Sequence, residues 1–187
     1  VVLSRGLGDV YKRQNKYSVT VIDLKQHPEK TISLISKING EYSYLEFIKN
    51  KKDIGTYLGL LKWTLIICLK IIFKKEKLFS NNLAIVHGDT LSTLLGAFLI
   101  RRNKGKLVLL EAGLGFPGMF KHFPESFIRL YVSKFSHYLI ANGEDQINQL
   151  KTWGVQGNII EISRNTIYDS LDLVGLEQTE NKREVLI

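Results

Sequence analysis

Residues 83–113, "LAIVHGDTLSTLLGAFLIRRNKGKLVLLEAG", decide the fold. "LAIV" and "LVLL" are short apolar runs without alternation, the pattern of strands buried on both faces of a sheet. Between them "TLSTLLGAFLIRR" (90–102) has the length and apolar content of a helix. Strand, helix and strand in that order argue a parallel pair joined by a helical crossover.

The same alternation extends in both directions. Upstream, "YSVTVIDL" (17–24) is β-branched and short, "PEKTISLISKI" (28–38) opens on the Pro-Glu of a helix start and repeats Ile32, Ile35 and Ile38, and "EYSYLEF" (41–47) reads as a weaker strand. From Ile54 to Phe79 runs a long amphipathic stretch in which Leu61, Leu65, Cys68 and Ile72 share a face opposite Lys62, Lys70, Lys74 and Lys77. A basic amphipathic helix can lie on a membrane, but helices flanking a sheet are built the same way, so the apolar face is expected in the core and the lysines in solvent. Downstream follow "PESFIRLYVSKFS" as helix, "HYLIAN" as strand, "EDQINQLKTWG" as helix and "NIIEIS" as strand. The fold class this predicts is α/β with a doubly wound parallel sheet.

Composition narrows the function classes. The 187 residues are 44% apolar and 24% charged, which suits a globular domain with a sizeable core. Net charge is +8, but the basic residues are scattered beside apolar runs without interleaved aromatics, so no nucleic-acid partner is expected. The single cysteine, Cys68, excludes a disulfide framework and a metal-spaced Cys/His set, and points to a reducing, cytoplasmic setting. The greasiest window, Leu60 to Phe73, is shorter than the roughly 20 residues a spanning helix needs and carries Lys62 and Lys70. No membrane span is expected, and no metal or cofactor.

The chain begins "VVLSRGLGDVYKRQ" (1–14). Its two glycines lack the preceding strand and following helix that a phosphate loop requires. The segment resembles a translated adapter read-through at the end of an assembled environmental sequence, so it is expected to be a non-native, unpaired tail with the first strand of the domain missing. Residues 15–171 then form one Rossmann-like domain. The turn-rich "EQTENKRE" (177–184) suggests that 172–187 are a linker and the start of a truncated second domain.

In open parallel sheets ligands bind outside the carboxyl ends of the strands, and three carboxylates fall there. Asp89 follows "LAIVHG", Glu111 follows "KLVLL" and precedes Ala112-Gly113, and Glu125 lies at a helix start after Pro124. Each also has a plain structural explanation: Asp89 as a helix cap, Glu125 as an ordinary first-turn acid, Glu111 as a surface residue. His87 could transfer protons or pack as a bonded imidazole, and His27 stands at a strand-to-helix turn where a ligand could be met. His137, at the start of "HYLIAN", is read as packing.

The pieces "VHGDT" (86–90), "EAGL" (111–114), "PE" followed by Arg129 (124–129) and "NTIYDSL" (165–171) resemble the UDP-N-acetylglucosamine 2-epimerase family, with Gln26-His27 echoing its Gly-Gln-His. The intervals agree, including 22 positions from Asp89 to Glu111 and 14 from Glu111 to Glu125. The resemblance implies the N-terminal half of a glycosyltransferase-B-type fold, in which two Rossmann-like halves close on a nucleotide sugar. It implies catalytic roles for Asp89, Glu111 and Glu125. It also implies substrate contacts from His27, His87, Gly88, Thr90, Gly113, Arg129 and Asn165.

The implied substrate is UDP-N-acetylglucosamine or a related nucleotide sugar. The implied chemistry is removal of the C2 proton and elimination of UDP, then re-addition of UDP or trapping by water, in surface polysaccharide or sialic-acid-type sugar synthesis. The resemblance allows a homodimer of the full-length protein. The fragment alone is expected to be inactive. Departures stand at Gly115, Ser126, Ile128 and Arg164, where the family has Arg, Glu, Asn and Gly, and they keep a non-catalytic homologue or another sugar transferase as alternatives.

Overall fold

A computed structural model describes residues 2–3, 19–35, 42–50, 52–73, 82–114 and 123–162. Seven strands and five helices are arranged as β1 (Val2–Leu3), β2 (Thr20–Asp23), α1 (Pro28–Ile35), β3 (Ser43–Glu46), α2 (Tyr57–Phe73), β4 (Leu83–His87), α3 (Leu91–Arg102), β5 (Lys106–Leu110), α4 (Glu125–Phe135), β6 (Tyr138–Ala141), α5 (Glu144–Thr152) and β7 (Asn158–Glu161). The strands form one sheet in the order β3-β2-β1-β4-β5-β6-β7, and every pair is parallel. This is the doubly wound sheet the alternation predicted. Its order reverses between β1 and β4, where a crevice opens at the carboxyl edge.

The expectation for the opening segment is corrected at Val2–Leu3. These residues pair with Val21 on one side and with Ile85 and Val86 on the other, so they occupy the central strand position. A gap there would leave the facing backbone groups of β2 and β4 without partners, which is costly in a buried sheet. An apolar, β-branched start can fill it. Asn165, Gly115, Arg164 and the segment 172–187 lie outside the described residues.

Helix α3 shows why sequence and structure agree around β4 and β5. Thr90 is its N-cap, with Oγ1 accepting the Thr93 N–H at 3.3 Å, and the Asn103 amide closes the other end by donating to the Leu99 carbonyl at 2.8 Å. Its inner face buries Leu95, Leu99 and Ile100 on Val86, Leu107 and Leu109 of the sheet.

Helix α2 is where the expectation fails. Trp63, Ile67 and Ile71 are its buried residues, whereas Leu61, Leu65 and Ile72, expected in the core, are exposed and Cys68 is only half-buried. The lysine face is not simply solvated either: Lys70 Nζ donates to the Phe47 carbonyl and lies over the Phe47 ring. The helix is apolar nearly all round, so periodicity could not choose its rotation. The deciding contact is the Trp63 indole, which is buried and donates Nε1–H to the Leu24 carbonyl at 2.8 Å, the one arrangement in which the largest side chain leaves water with its donor satisfied. Ile32 of α1 is likewise exposed rather than packed.

His137 is structural, as read. The Leu107 N–H donates to its Nδ1 at 3.0 Å, and the Arg101 guanidinium lies 2.9 Å from its Nε2. Burial first, and then the charges of Arg101 and Lys106, lower its pKa below the ordinary 6.5. Protonation of Nδ1 would break the bond to Leu107. Stability is therefore intact above pH 6.5 and falls as pH drops below it. Urea titrations at pH 7.5 and 5 should show lower stability at pH 5, and His137→Gln should flatten that part of the pH profile.

Candidate functional site

The carboxyl ends of β4 and β5 are held in register by five consecutive pairs, ending at His87 opposite Leu110. Beyond that pair the backbone of both strands turns left-handed: Gly88 at φ +80° and, unusually for a non-glycine, Glu111 at φ +52°. A glutamate in that region costs roughly 1–2 kcal/mol. The strain bends Glu111 back over the neighbouring strand, where its carboxylate meets His87 Nε2 at 2.9 Å.

Asp89 is not a helix cap, since Thr90 fills that place. Its carboxylate instead lies 2.5 Å from the Arg129 guanidinium, whose second arm donates to the Leu114 carbonyl at 2.8 Å. Arg129 thereby ties α4 to the loops after β4 and β5. The Thr93 hydroxyl, fully buried, donates to the His87 carbonyl at 2.8 Å and steadies the turn before Asp89.

A small pocket opens between these groups, lined by Gly88, Glu111, Gly113, Leu114, Arg129 and Ser133 among others. Gly113 is required there. A Cβ would fall 2.3 Å from the Gln146 carbonyl oxygen of α5, and φ is +81°.

The structure accordingly brings together His87, Gly88, Asp89, Glu111, Gly113 and Arg129 of the residues singled out in sequence. Thr90 uses its hydroxyl on the helix cap. Glu125 is exposed at the start of α4, one turn before Arg129 and on the same helical stripe, but is not among the residues lining the pocket. His27 lies apart from the pocket lining, with Nδ1 3.7 Å from Asp53. Its neighbour Gln26 is linked to the first turn of α3, because the Ser92 hydroxyl donates to Gln26 Oε1.

Sequence reasoning missed two features. Ser133 is fully buried, lines the pocket and has no hydrogen-bond partner for Oγ among the described residues; the spacing Glu125, Arg129, Ser133 is the signal that could have found it. The second is an ion cluster at the end of β2 whose Asp23 and Lys25 are buried. Lys25, at φ +59°, places Nζ 2.7 Å from Glu46 and 3.5 Å from Asp23, while Tyr44 donates its hydroxyl to Asp23 at 2.6 Å. Burial acts to lower the Lys25 pKa, but the bonds to Glu46 and Tyr44 and the Asp23 charge outweigh it and raise it. Burial and the bond to Asp23 push Tyr44 up to about 12.

A model of the UDP-N-acetylglucosamine 2-epimerase family matches residues 11–186. The chain belongs to that family. It is 31% identical over 121 residues to the UDP-N-acetylglucosamine 2-epimerase of Methanocaldococcus jannaschii, covering 64% of this chain and 32% of that protein. It is 29% identical over 100 residues to the Neisseria meningitidis enzyme of the same description, covering 54% and 27%.

Among solved structures, UDP-GlcNAc 2-epimerase from M. jannaschii superposes with a TM-score of 0.61 at 20% identity, over 96% of this chain and 48% of that one. The N. meningitidis enzyme bound to UDP-GlcNAc gives 0.62 at 21% identity, over 91% and 46%. A Staphylococcus aureus protein in a co-structure with UDP gives 0.61 at 20% identity, over 95% and 46%. The chain thus spans about half the length of these structures and about a third of the curated relatives. The fold is the Rossmann-like half of a glycosyltransferase-B-type architecture. Lys25 holds a left-handed φ of +59°, which glycine adopts freely, and its ion pairs to Glu46 and Asp23 accompany it.

Replacing Gly113 by alanine should cost about 2–4 kcal/mol, from a left-handed φ and a backbone clash together. Urea unfolding of Gly113→Ala against the parent chain measures it.

Proposed function

We propose that this chain is the carboxylate-bearing half of an enzyme that epimerises UDP-N-acetylglucosamine, or a closely related nucleotide sugar, at C2. The observation that carries this reading is a pocket at the carboxyl edge lined by Glu111 and Arg129, with His87 bonded to Glu111 and Asp89 to Arg129. The family match and the relatives bound to UDP-GlcNAc or UDP support it.

In this reading a carboxylate takes the C2 proton, the C–H electron pair forms the C1–C2 double bond, and the C1–oxygen bond breaks to release UDP. A proton then returns to C2 from the other face, while UDP oxygen or water adds at C1. The C2–H is a weak acid, so the base must be positioned. Glu111 suits that task because it lines the pocket and His87 fixes its carboxylate and can pass a proton on. Asp89, gripped by Arg129, and Glu125, one helical turn from Arg129, supply acid–base capacity.

Substrate contacts fall to Gly88 and Gly113, whose missing side chains leave room, and to Arg129 and the unpartnered Ser133 hydroxyl. His27 and Thr90, with Asn165 beyond the described residues, complete the proposed set. No metal or cofactor enters this chemistry.

One departure from the family weighs less than its sequence suggests. Ile128 is buried in the core, off the stripe of Glu125, Arg129 and Ser133. A side chain there would not reach the pocket, which disfavours the non-catalytic alternative. A cytoplasmic setting, with no nucleic-acid partner and a place in surface polysaccharide or sialic-acid-type sugar synthesis, belongs to the same proposal. No helix among the described residues is long and apolar enough to cross a membrane.

Incubating the intact protein with UDP-N-acetylglucosamine should yield the manno sugar, free or UDP-linked. Glu111→Gln and Asp89→Asn should each cut kcat at least a hundredfold with the fold retained, and Glu125→Gln substantially. Full activity in any one removes that residue from the mechanism, and no manno product from the intact protein overturns the reading. The 187-residue chain alone should show no turnover in the same assay.

A further inference from the structure

A hydroxyl on a helix has a ready acceptor one turn back, and this chain uses it repeatedly. Thr31, Thr64, Ser136 and Thr152 each donate to the carbonyl four residues earlier, at 3.0, 2.8, 2.8 and 2.9 Å. Ser133 of α4 does not. It is 0% exposed, and its Oγ has no partner among the described residues. A buried hydroxyl left unbonded costs stability, so a folded domain keeps one where a ligand can meet it. Ser133 lines the pocket that Glu111 and Arg129 also line.

The rest of the lining selects the group that meets it. Leu109, Ala112 and Leu114 are apolar, and the two charged side chains are already engaged, Glu111 with His87 and Arg129 with Asp89. The enclosed room is about that of one water, enough for the end of a small group and not for a phosphate or a sugar ring. A phosphate would also face the Glu111 carboxylate. A neutral group with one hydrogen-bond acceptor and one apolar end fits, and an acetamido group is of that kind. Its position agrees as well. A base at C2 stands about 3 Å from the carbon it deprotonates, and the acetamido nitrogen is bonded to that same carbon. The acetyl group, one bond further on, then lies along the wall that Glu111 and Ser133 share.

We propose that Ser133 determines specificity for the substituent at C2: its hydroxyl donates to the acetyl oxygen of a 2-acetamido sugar, while Leu109, Ala112 and Leu114 take the methyl. This rests on the reading of Glu111 as the C2 base. No proton of the reaction passes through Ser133. The hydroxyl holds the acetyl group and so turns the C2 proton toward Glu111. A sugar with a plain 2-hydroxyl leaves both the Ser133 hydroxyl and the apolar wall unmet, which is how the site tells the two apart.

Ser133→Ala removes a buried hydroxyl that bonds to nothing in the folded domain, so without ligand the variant chain should melt at the same temperature as the parent or higher. A lower melting temperature marks a structural hydroxyl and overturns the proposal. In the intact protein, calorimetry should find that Ser133→Ala binds UDP-N-acetylglucosamine roughly tenfold more weakly than the parent, with UDP-glucose changed by less than about twofold. Equal losses for both nucleotides, or no loss for either, overturn it. Turnover separates this proposal from the catalytic reading. An intact protein that forms no manno sugar yet shows the selective loss keeps the acetyl contact and loses the C2 base. A productive enzyme indifferent to Ser133→Ala keeps the base and loses the contact.

Discussion

The parallel pairing of β4 with β5 is the constraint on which the site depends. Five consecutive pairs lock the register of the two strands, and a slip of one residue would turn every side chain to the opposite face. Because His87 is fixed opposite Leu110, the next residue on β5 can reach it only by bending back. The left-handed Glu111 does so. Strain at one residue is balanced by a charged hydrogen bond to His87 and by the Ala112 N–H, which donates to the Ile140 carbonyl at 2.8 Å and carries the sheet pairing past the bend.

A second tier of contacts converts that edge into a pocket. Arg129 reaches from α4 to Asp89 and to the Leu114 carbonyl, so helix and strand loops cannot separate without breaking two charge-assisted bonds. Gly113 lets α5 approach to a distance no side chain would permit. The elements that fold the domain therefore also aim its polar groups.

Much of this was legible in the sequence, and for identifiable reasons. Unbroken apolar runs at "LAIV" and "LVLL" admit only a doubly covered sheet, and the carboxylates at their ends follow from where loops must lie. Helix α2 was not legible in its orientation, because a helix carrying leucine and isoleucine on every side has no preferred inward face until Trp63 and its carbonyl partner choose one. Val2–Leu3 misled for the opposite reason: two residues are too short to show a pattern, and their place is set by the vacancy between β2 and β4. Ser133 was hidden because a serine within an amphipathic helix carries no signal until its helix is placed over the pocket.

By itself the sequence determined the order of elements, the parallel sheet and the positions of Asp89, Glu111 and Arg129 along the chain, since hydrophobic periodicity and strand ends are local properties. Only the tertiary structure decided that His87 faces Glu111, that Asp89 answers to Arg129 rather than to a helix end, that Lys25 is buried among two acids and a tyrosine, and that one apolar face of α2 is left uncovered. These depend on distances between residues far apart in the chain, which register and packing set.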